Sequence, residues 1–314
     1  MKRRIIILIC AVCMILALVI TLYPLISNVA GEKYRSMVET RYDKAVEKLN
    51  TMELIAEKEE AVLYNKTLQS GTANAFSREV LAQAEQSYSR LLNVRGDGIM
   101  GYIQIPKIGV ELPIYHGTAE ETLDKGVGHL LGTSLPVGGI GTHCVLTGHS
   151  GLAGTRMFSD LDQPKKGDVF YLKVLDETHA YMILDINTVL PEDTSKLTVD
   201  PQRESVTLVT CTPFGVNTHR LLVRGERIEY SMAERLVEET DIQEPQTEST
   251  WTREYLKGIG LGCLGIILVT AIVLTLRFVL SKAHAARVPA CAAAYPVIGS
   301  ACERERKRGA HEKR

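Results

Sequence analysis

Two long apolar runs bracket this chain, and between them the hydrophobic pattern changes from helical to alternating. The first run covers about Ile5 to Ile26 and the second about Ile259 to Leu276. A bilayer-crossing helix needs about 20 such residues, so the first is long enough and the second lies near the short limit. After the first run, Tyr34, Val38, Tyr42, Ala45, Leu49 and Met52 recur at three- and four-residue steps, which predicts a helix over Glu32 to Lys66. The small, polar stretch Thr67 to Phe76 reads as a loop. Leu81, Ala84, Tyr88 and Leu91 then place a second helix over Ser77 to Leu92.

From Met100 the period shortens, and Gly and Pro cut the chain into β segments. These are Gly101–Ile105, Val110–Tyr115, Thr142–Thr147, Asp168–Val174, His179–Leu190, Ser205–Thr210 and Arg220–Tyr230. So many short strands without alternating helices predict a closed barrel or a sandwich. Ser231 to Thr250 is acidic and poor in apolar residues, the composition of a solvated stalk.

Charge changes this picture by giving it a direction. The chain of 314 residues has a formal net charge of −1, which gives no sign of wholesale nucleic-acid binding. Its basic residues are unevenly placed. Lys2, Arg3 and Arg4 precede the first apolar run, and Arg277, Lys282, Arg287, Arg304, Arg306, Lys307 and Arg308 follow the second. The positive-inside rule therefore expects both termini in the cytoplasm and Gly31 to Tyr255 outside, a two-pass membrane protein in contact with lipid. A cleaved signal peptide is the other reading of the first run. Its apolar length exceeds the usual core and Asn28-Val29-Ala30 is a poor cleavage site, which favours an anchor. Only Cys144 and Cys211 fall in the outer part, too few for a disulfide-stapled domain.

The candidate chemistry centres on Thr207 to Gly225, TLVTCTPFGVNTHRLLVRG. If Ser205–Thr210 and Arg220–Arg224 pair antiparallel with Cys211 opposite Arg220, Leu208 meets Val223 and Val206 meets Gly225 on an apolar face. Cys211 and Arg220 then share the other face. A one-residue slip would separate them. A cation beside a thiol favours the nucleophilic thiolate, and a guanidinium can also hold the oxyanion of a tetrahedral intermediate. A proton shuttle is still needed, and histidine suits that task. Of His116, His129, His143, His149, His179 and His219, the residue His149 stands best, at a strand-to-loop transition after HCVLTGH and before Ser150-Gly151. His143 lies within a strand, His219 would point to the face opposite Arg220, and His116 and His129 sit in Gly-flanked turns. The set His143, Cys144 and His149 matches no common zinc spacing.

These residues resemble the sortases, in particular the class C, pilin-polymerising type. The likeness covers about Gly98 to Tyr230, through GYIQIPKIGVELPIYHGT, GVGHLLGTSLPVGG, VLTGHSGL, FSDLD and TLVTCTPFGVNTHRLLVRG. It implies a mostly β fold, an eight-stranded barrel with N-terminal helices, flanked here by two transmembrane helices. It also implies Cys211 as nucleophile, His149 as general acid/base and Arg220 as the oxyanion-stabilising cation, with Thr210 as a supporting residue. An LPXTG-like sorting signal would be cleaved between Thr and Gly through a thioacyl-enzyme. A lysine amine of another pilin would resolve that intermediate, with no metal or organic cofactor. The resulting division is a cytoplasmic N-terminus at 1–4, a span at 5–26, helices over 31–97, a catalytic barrel over 98–230, an acidic stalk at 231–255, a span at 256–280 and a basic tail at 281–314.

Two positions depart from the class C pattern. Relatives of that class carry a lid with an Asp-Pro-aromatic motif, where this chain has Asn74-Ala75-Phe76 in a candidate lid segment at 67–76. Phe76 could cap Cys211, but Asn74 cannot form the Asp–Arg ion pair that pins such a lid. Ser150 stands where many relatives have Arg. Three other functions compete with pilin polymerisation: attachment of single surface proteins to the cell wall, a catalytically idle barrel serving pilus assembly, and an unrelated cysteine hydrolase.

Overall fold

The computed structural model describes residues 2–70, 87–151, 156–243 and 250–287. They divide into two units, 1–253 and 254–314. Helix α1 runs without a break over Lys2–Val46, with Pro24 inside it, and α2 covers Thr51–Ser70. The sequence reading placed one helix over Glu32 to Lys66. The structure instead continues the apolar run into that helix and breaks it at residues 47–50. Asn50 explains the break: its side chain accepts the Glu53 N–H at 3.0 Å while the Glu53 carboxylate accepts the Asn50 N–H at 2.8 Å. This reciprocal cap satisfies two otherwise orphaned donors and starts α2 afresh.

The barrel follows as β1 (Ile99–Ile105), β2 (Val110–His116), the single-turn α3 (Glu120–Leu123), β3 (Val127–His129), β4 (Thr142–Thr147), β5 (Val169–Val174), β6 (Glu177–Val189), β7 (Glu204–Thr212) and β8 (His219–Ile228). These strands close in the order β1-β2-β3-β4-β7-β8-β6-β5, so barrel rather than sandwich is the outcome. The β2–β3 and β4–β7 pairs are parallel and the rest antiparallel. Strand β3 was read as part of a Gly-flanked turn, because three residues are too few to show a period. Its role is to bridge β2 to β4. Alternate residues of β7 and β8 (Val206, Leu208, Leu221, Val223) point into one core with Ile103, Ile114, Leu146, Phe158 and Phe170.

The C-terminal part of α1 packs on the barrel through Val38, Tyr42 and Val46, which meet Ile99, Tyr102 and Tyr115. Tyr42 is 1% exposed. Its hydroxyl donates to the Met100 carbonyl at 2.9 Å and accepts the Leu175 N–H at 2.8 Å, tying the helix to β1 and to the β5–β6 turn. Asp43 pairs with Lys173 at 3.0 Å beside it. The predicted helix over Ser77 to Leu92 lies mostly outside the described residues. Its described end supplies Tyr88, Leu91 and Leu92 to the core.

The acidic stretch after β8 corrects the expectation of a solvated stalk. It begins as a helix, α4 (Tyr230–Gln243), whose Ala233, Leu236 and Val237 pack on Val169, Tyr171 and Ala180 of the barrel. Spacings of three and four place these few apolar side chains on one stripe, and the acidic composition hid it. Helix α5 (Thr250–Arg287) carries the second apolar run. Among the described residues, two helices are long and apolar enough to cross a bilayer: Ile15–Val46 with mean hydropathy 1.6 and Tyr255–Thr275 with 2.4.

Candidate active site

The site gathers where the ends of β4 and β7 meet the start of β8. Cys211 lies directly opposite Arg220 in the β7–β8 ladder, with Val209 opposite Leu222 and Thr207 opposite Arg224. This is the register in which Cys211 and Arg220 share a face, and the apolar face beneath explains it. Val206, Leu208, Leu221 and Val223 are each at most 6% exposed, and a slip of one residue would turn all four out of the core. Cys211 is half-buried and free. The Arg220 guanidinium is also half-buried, and its Nη1 donates to the carbonyls of Asn217 at 3.2 Å and His219 at 3.0 Å. Asn217 lies in the loop that joins the two strands and His219 opens β8, so the end of that loop holds the cation in place.

His149 reaches the site by a different route. The parallel β4–β7 pair ends with Thr147 opposite Val209. The chain continues alongside: the Gly148 N–H donates to the Val209 carbonyl at 3.0 Å, and the Thr210 hydroxyl donates to the Gly148 carbonyl at 2.8 Å. His149 is the next residue, so these two bonds lead its backbone toward the end of β7 that carries Cys211. Thr210, 3% exposed, is therefore the clamp between the strand that carries Cys211 and the turn that carries His149. Gly148 lets that turn pass, since a Cβ there would stand 2.8 Å from the Phe158 ring. The His149 carbonyl accepts the Phe158 N–H at 3.0 Å, and the side chain, 28% exposed, places Nε2 3.8 Å from Oδ1 of Asp124.

The remaining histidines of the outer part serve the fold. His129 bonds the Tyr88 hydroxyl at 2.9 Å and the Ser134 carbonyl at 2.9 Å, and burial pushes its pKa down to about 4. His143 bonds Thr207 Oγ1 at 2.7 Å and the Thr198 carbonyl at 3.1 Å; burial and then the Arg224 cation bring it also to about 4. His116 bonds the carbonyls of Gly98 and Leu91. His179 is buried against Arg227, and burial lowers it to about 4. His219 is held by the Thr218 hydroxyl at 2.9 Å. Cys144 is a free, buried core residue whose thiol pKa burial pushes up. His143 and Cys144 occupy opposite faces of β4, so His143, Cys144 and His149 do not converge. Asn74 and Phe76 lie outside the described residues. Ser150 is half-buried, and the Gly151 N–H beside it donates to Ser159 Oγ at 3.1 Å.

Sequence reasoning missed Asp124 and Gly148. Asp124 stands after a helix of one turn, and only the β3–β4 pairing brings it near His149.

Comparison with known proteins bears on this arrangement. Residues 103–228 match the sortase domain. Among solved structures, sortase C1 from Streptococcus agalactiae is 40% identical over 62% of this chain and 98% of its own, with a TM-score of 0.57. The chain belongs to the sortase family. The Streptococcus pneumoniae sortase C (42% identical, TM-score 0.55) and the Actinomyces oris sortase C-1 (48% identical, TM-score 0.51) are covered over 97% and 99% of their lengths. These three solved likenesses are all of the sortase C type. Bacillus subtilis sortase D is 34% identical over 131 residues, 41% of this chain and 63% of that protein. The match therefore spans less than two thirds of that curated relative.

Proposed function

We propose that this protein is a membrane-anchored cysteine transpeptidase that cleaves a sorting signal of LPXTG type between Thr and Gly and joins the new acyl end to a pilin lysine. The observation that carries the reading is the ladder position of Cys211 opposite Arg220, with Gly148, the residue before His149, bonded to Thr210. The Cys211 thiolate attacks the Thr carbonyl carbon, and Arg220 faces the oxygen on which charge develops. The C–N bond breaks as His149 gives its proton to the departing glycine amine, leaving a thioacyl-enzyme. The lysine amine then attacks that carbonyl, its surplus proton returns to His149, and the C–S bond breaks to release the isopeptide and Cys211. The basic residues outside both apolar runs support a reading with the termini in the cytoplasm and the barrel outside, where secreted substrates pass.

Pilin polymerisation is favoured over wall anchoring because the solved likenesses include a pilus-related sortase C of group B Streptococcus, 44% identical with a TM-score of 0.53. The test incubates the full chain in detergent micelles with an LPXTG-type peptide, a pilin subunit and an amine-bearing wall precursor. A Cys211-dependent ladder of isopeptide-linked pilins is expected. An adduct to wall precursor alone would turn the reading to wall anchoring, free acid alone to hydrolysis, and no reaction to an idle barrel.

A further inference from the structure

Four neighbouring strands, β3, β4, β7 and β8, line one rim of the barrel in that order. Each brings one polar or ionisable side chain to the same end. Asp124 leads into β3, His149 follows β4, Cys211 is the last residue but one of β7 and Arg220 the second of β8. The row therefore reads carboxylate, imidazole, thiol, guanidinium. Its last three members are the reacting groups proposed above. Its first has no part in that chemistry, yet its carboxylate oxygen lies 3.8 Å from Nε2 of His149.

The backbone that presents Asp124 is well determined. The Asp124 N–H donates to the Glu120 carbonyl at 2.9 Å, closing α3. The next residues pass so near β2 that a Cβ on Gly126 would stand 2.5 Å from the Pro113 carbonyl oxygen. Strand β3 then pairs antiparallel with β4, Gly128 opposite Thr147, and two further steps set Gly126 opposite His149. Asp124 is thus delivered to the imidazole by pairing, while its side chain remains 61% exposed.

We infer that Asp124 is a positioning residue for His149. The inference rests on the transpeptidase reading above. At 3.8 Å the carboxylate is an ion-pair neighbour of the ring and beyond hydrogen-bond reach, so it acts through charge and placement. It restrains the orientation of the ring, which matters only in steps where a proton must reach or leave an amine. Because the pair is exposed, its interaction is of the order of 1 kcal/mol or less, which corresponds to about fivefold in rate.

The test compares the full chain with Asp124→Ala and Asp124→Glu in micelles, on two substrates with the same acyl group. One is the sorting peptide, whose amine must be protonated as it leaves. The other is an aryl ester, whose phenolate leaves without a proton. Asp124→Ala should lower kcat for acylation by the peptide about fivefold with KM unchanged, and leave acylation by the ester unchanged. Asp124→Glu should recover most of the loss. An unchanged peptide rate, or equal loss on both substrates, would overturn the role, the second pointing to a structural effect. If the unaltered chain acylates Cys211 with neither substrate, the transpeptidase reading itself fails and the role of Asp124 falls with it.

Discussion

Replacing Thr210 with Val removes one hydrogen bond and little else, because the two side chains have nearly the same shape. The hydroxyl lost is the one that donates to the Gly148 carbonyl at 2.8 Å. Thr210 is 3% exposed and Gly148 is buried, so water does not readily replace it. A stranded buried carbonyl costs about 1–3 kcal/mol. For a domain of this size that lowers the melting temperature by a few degrees, at about 2–4 °C per kcal/mol. The kinetic effect should be larger than the stability effect suggests. The bond clamps the His149 turn to the Cys211 strand, and a displacement of about 1 Å in a reacting group can cost about 100-fold. We expect kcat for peptide cleavage to fall at least about tenfold with KM little changed, while Thr210→Ser, which keeps the hydroxyl, stays near the parent. The assay pairs thermal unfolding by circular dichroism with release of the glycine-bearing product. Parental kcat in Thr210→Val, or equal damage in Thr210→Ser, would refute the clamp, the second outcome assigning the effect to methyl packing.

Three further outcomes follow from the same structure. Arg220→Lys keeps a cation but loses the planar fork, so product formation should drop about 100-fold or more; near-parental turnover would remove Arg220 from oxyanion stabilisation. Tyr42→Phe strands the Met100 carbonyl and the Leu175 N–H, so hydrogen exchange should accelerate in α1 and at the β5–β6 turn, and unchanged exchange would show that α1 docks without this bond. His129 is held neutral by burial, with a pKa near 4 against about 6.5 unfolded. Its contribution is therefore complete above pH 6.5 and declines as the unfolded chain takes up a proton below it, by about 2 kcal/mol between pH 7.5 and 5. Urea unfolding of the parent should lose that much more stability over this interval than His129→Gln, and parallel curves for the two would contradict it.

Much of the barrel was legible because strand period and core burial coincide. The alternation in Thr207–Gly225 placed Cys211 opposite Arg220, and the observed ladder has that register from Val206 to Arg220. Where several forces act on few residues, the pattern was silent. Strand β3 is three residues long, and no period can show in it. The stripe of Ala233, Leu236 and Val237 in α4 lay hidden among acidic neighbours. The break between α1 and α2 was marked by Asn50 and Glu53, a signal present in the sequence and passed over for the longer apolar rhythm.

The site divides in the same way. By itself the sequence determined a sortase-like chain with one thiol beside one guanidinium, because antiparallel neighbours joined by a short loop meet through local alternation. It also determined two apolar runs with basic ends. Only the tertiary structure decided that the chain leading to His149 runs beside the strand of Cys211, since the two are far apart in the sequence and are brought together by a parallel β4–β7 pair, whose register nothing local specifies. The same holds for Thr210 as the clamp, for Gly148 yielding to Phe158, and for Asp124 next to His149. Each of these is a contact between distant segments, set by how the barrel closes and not by the residues on either side.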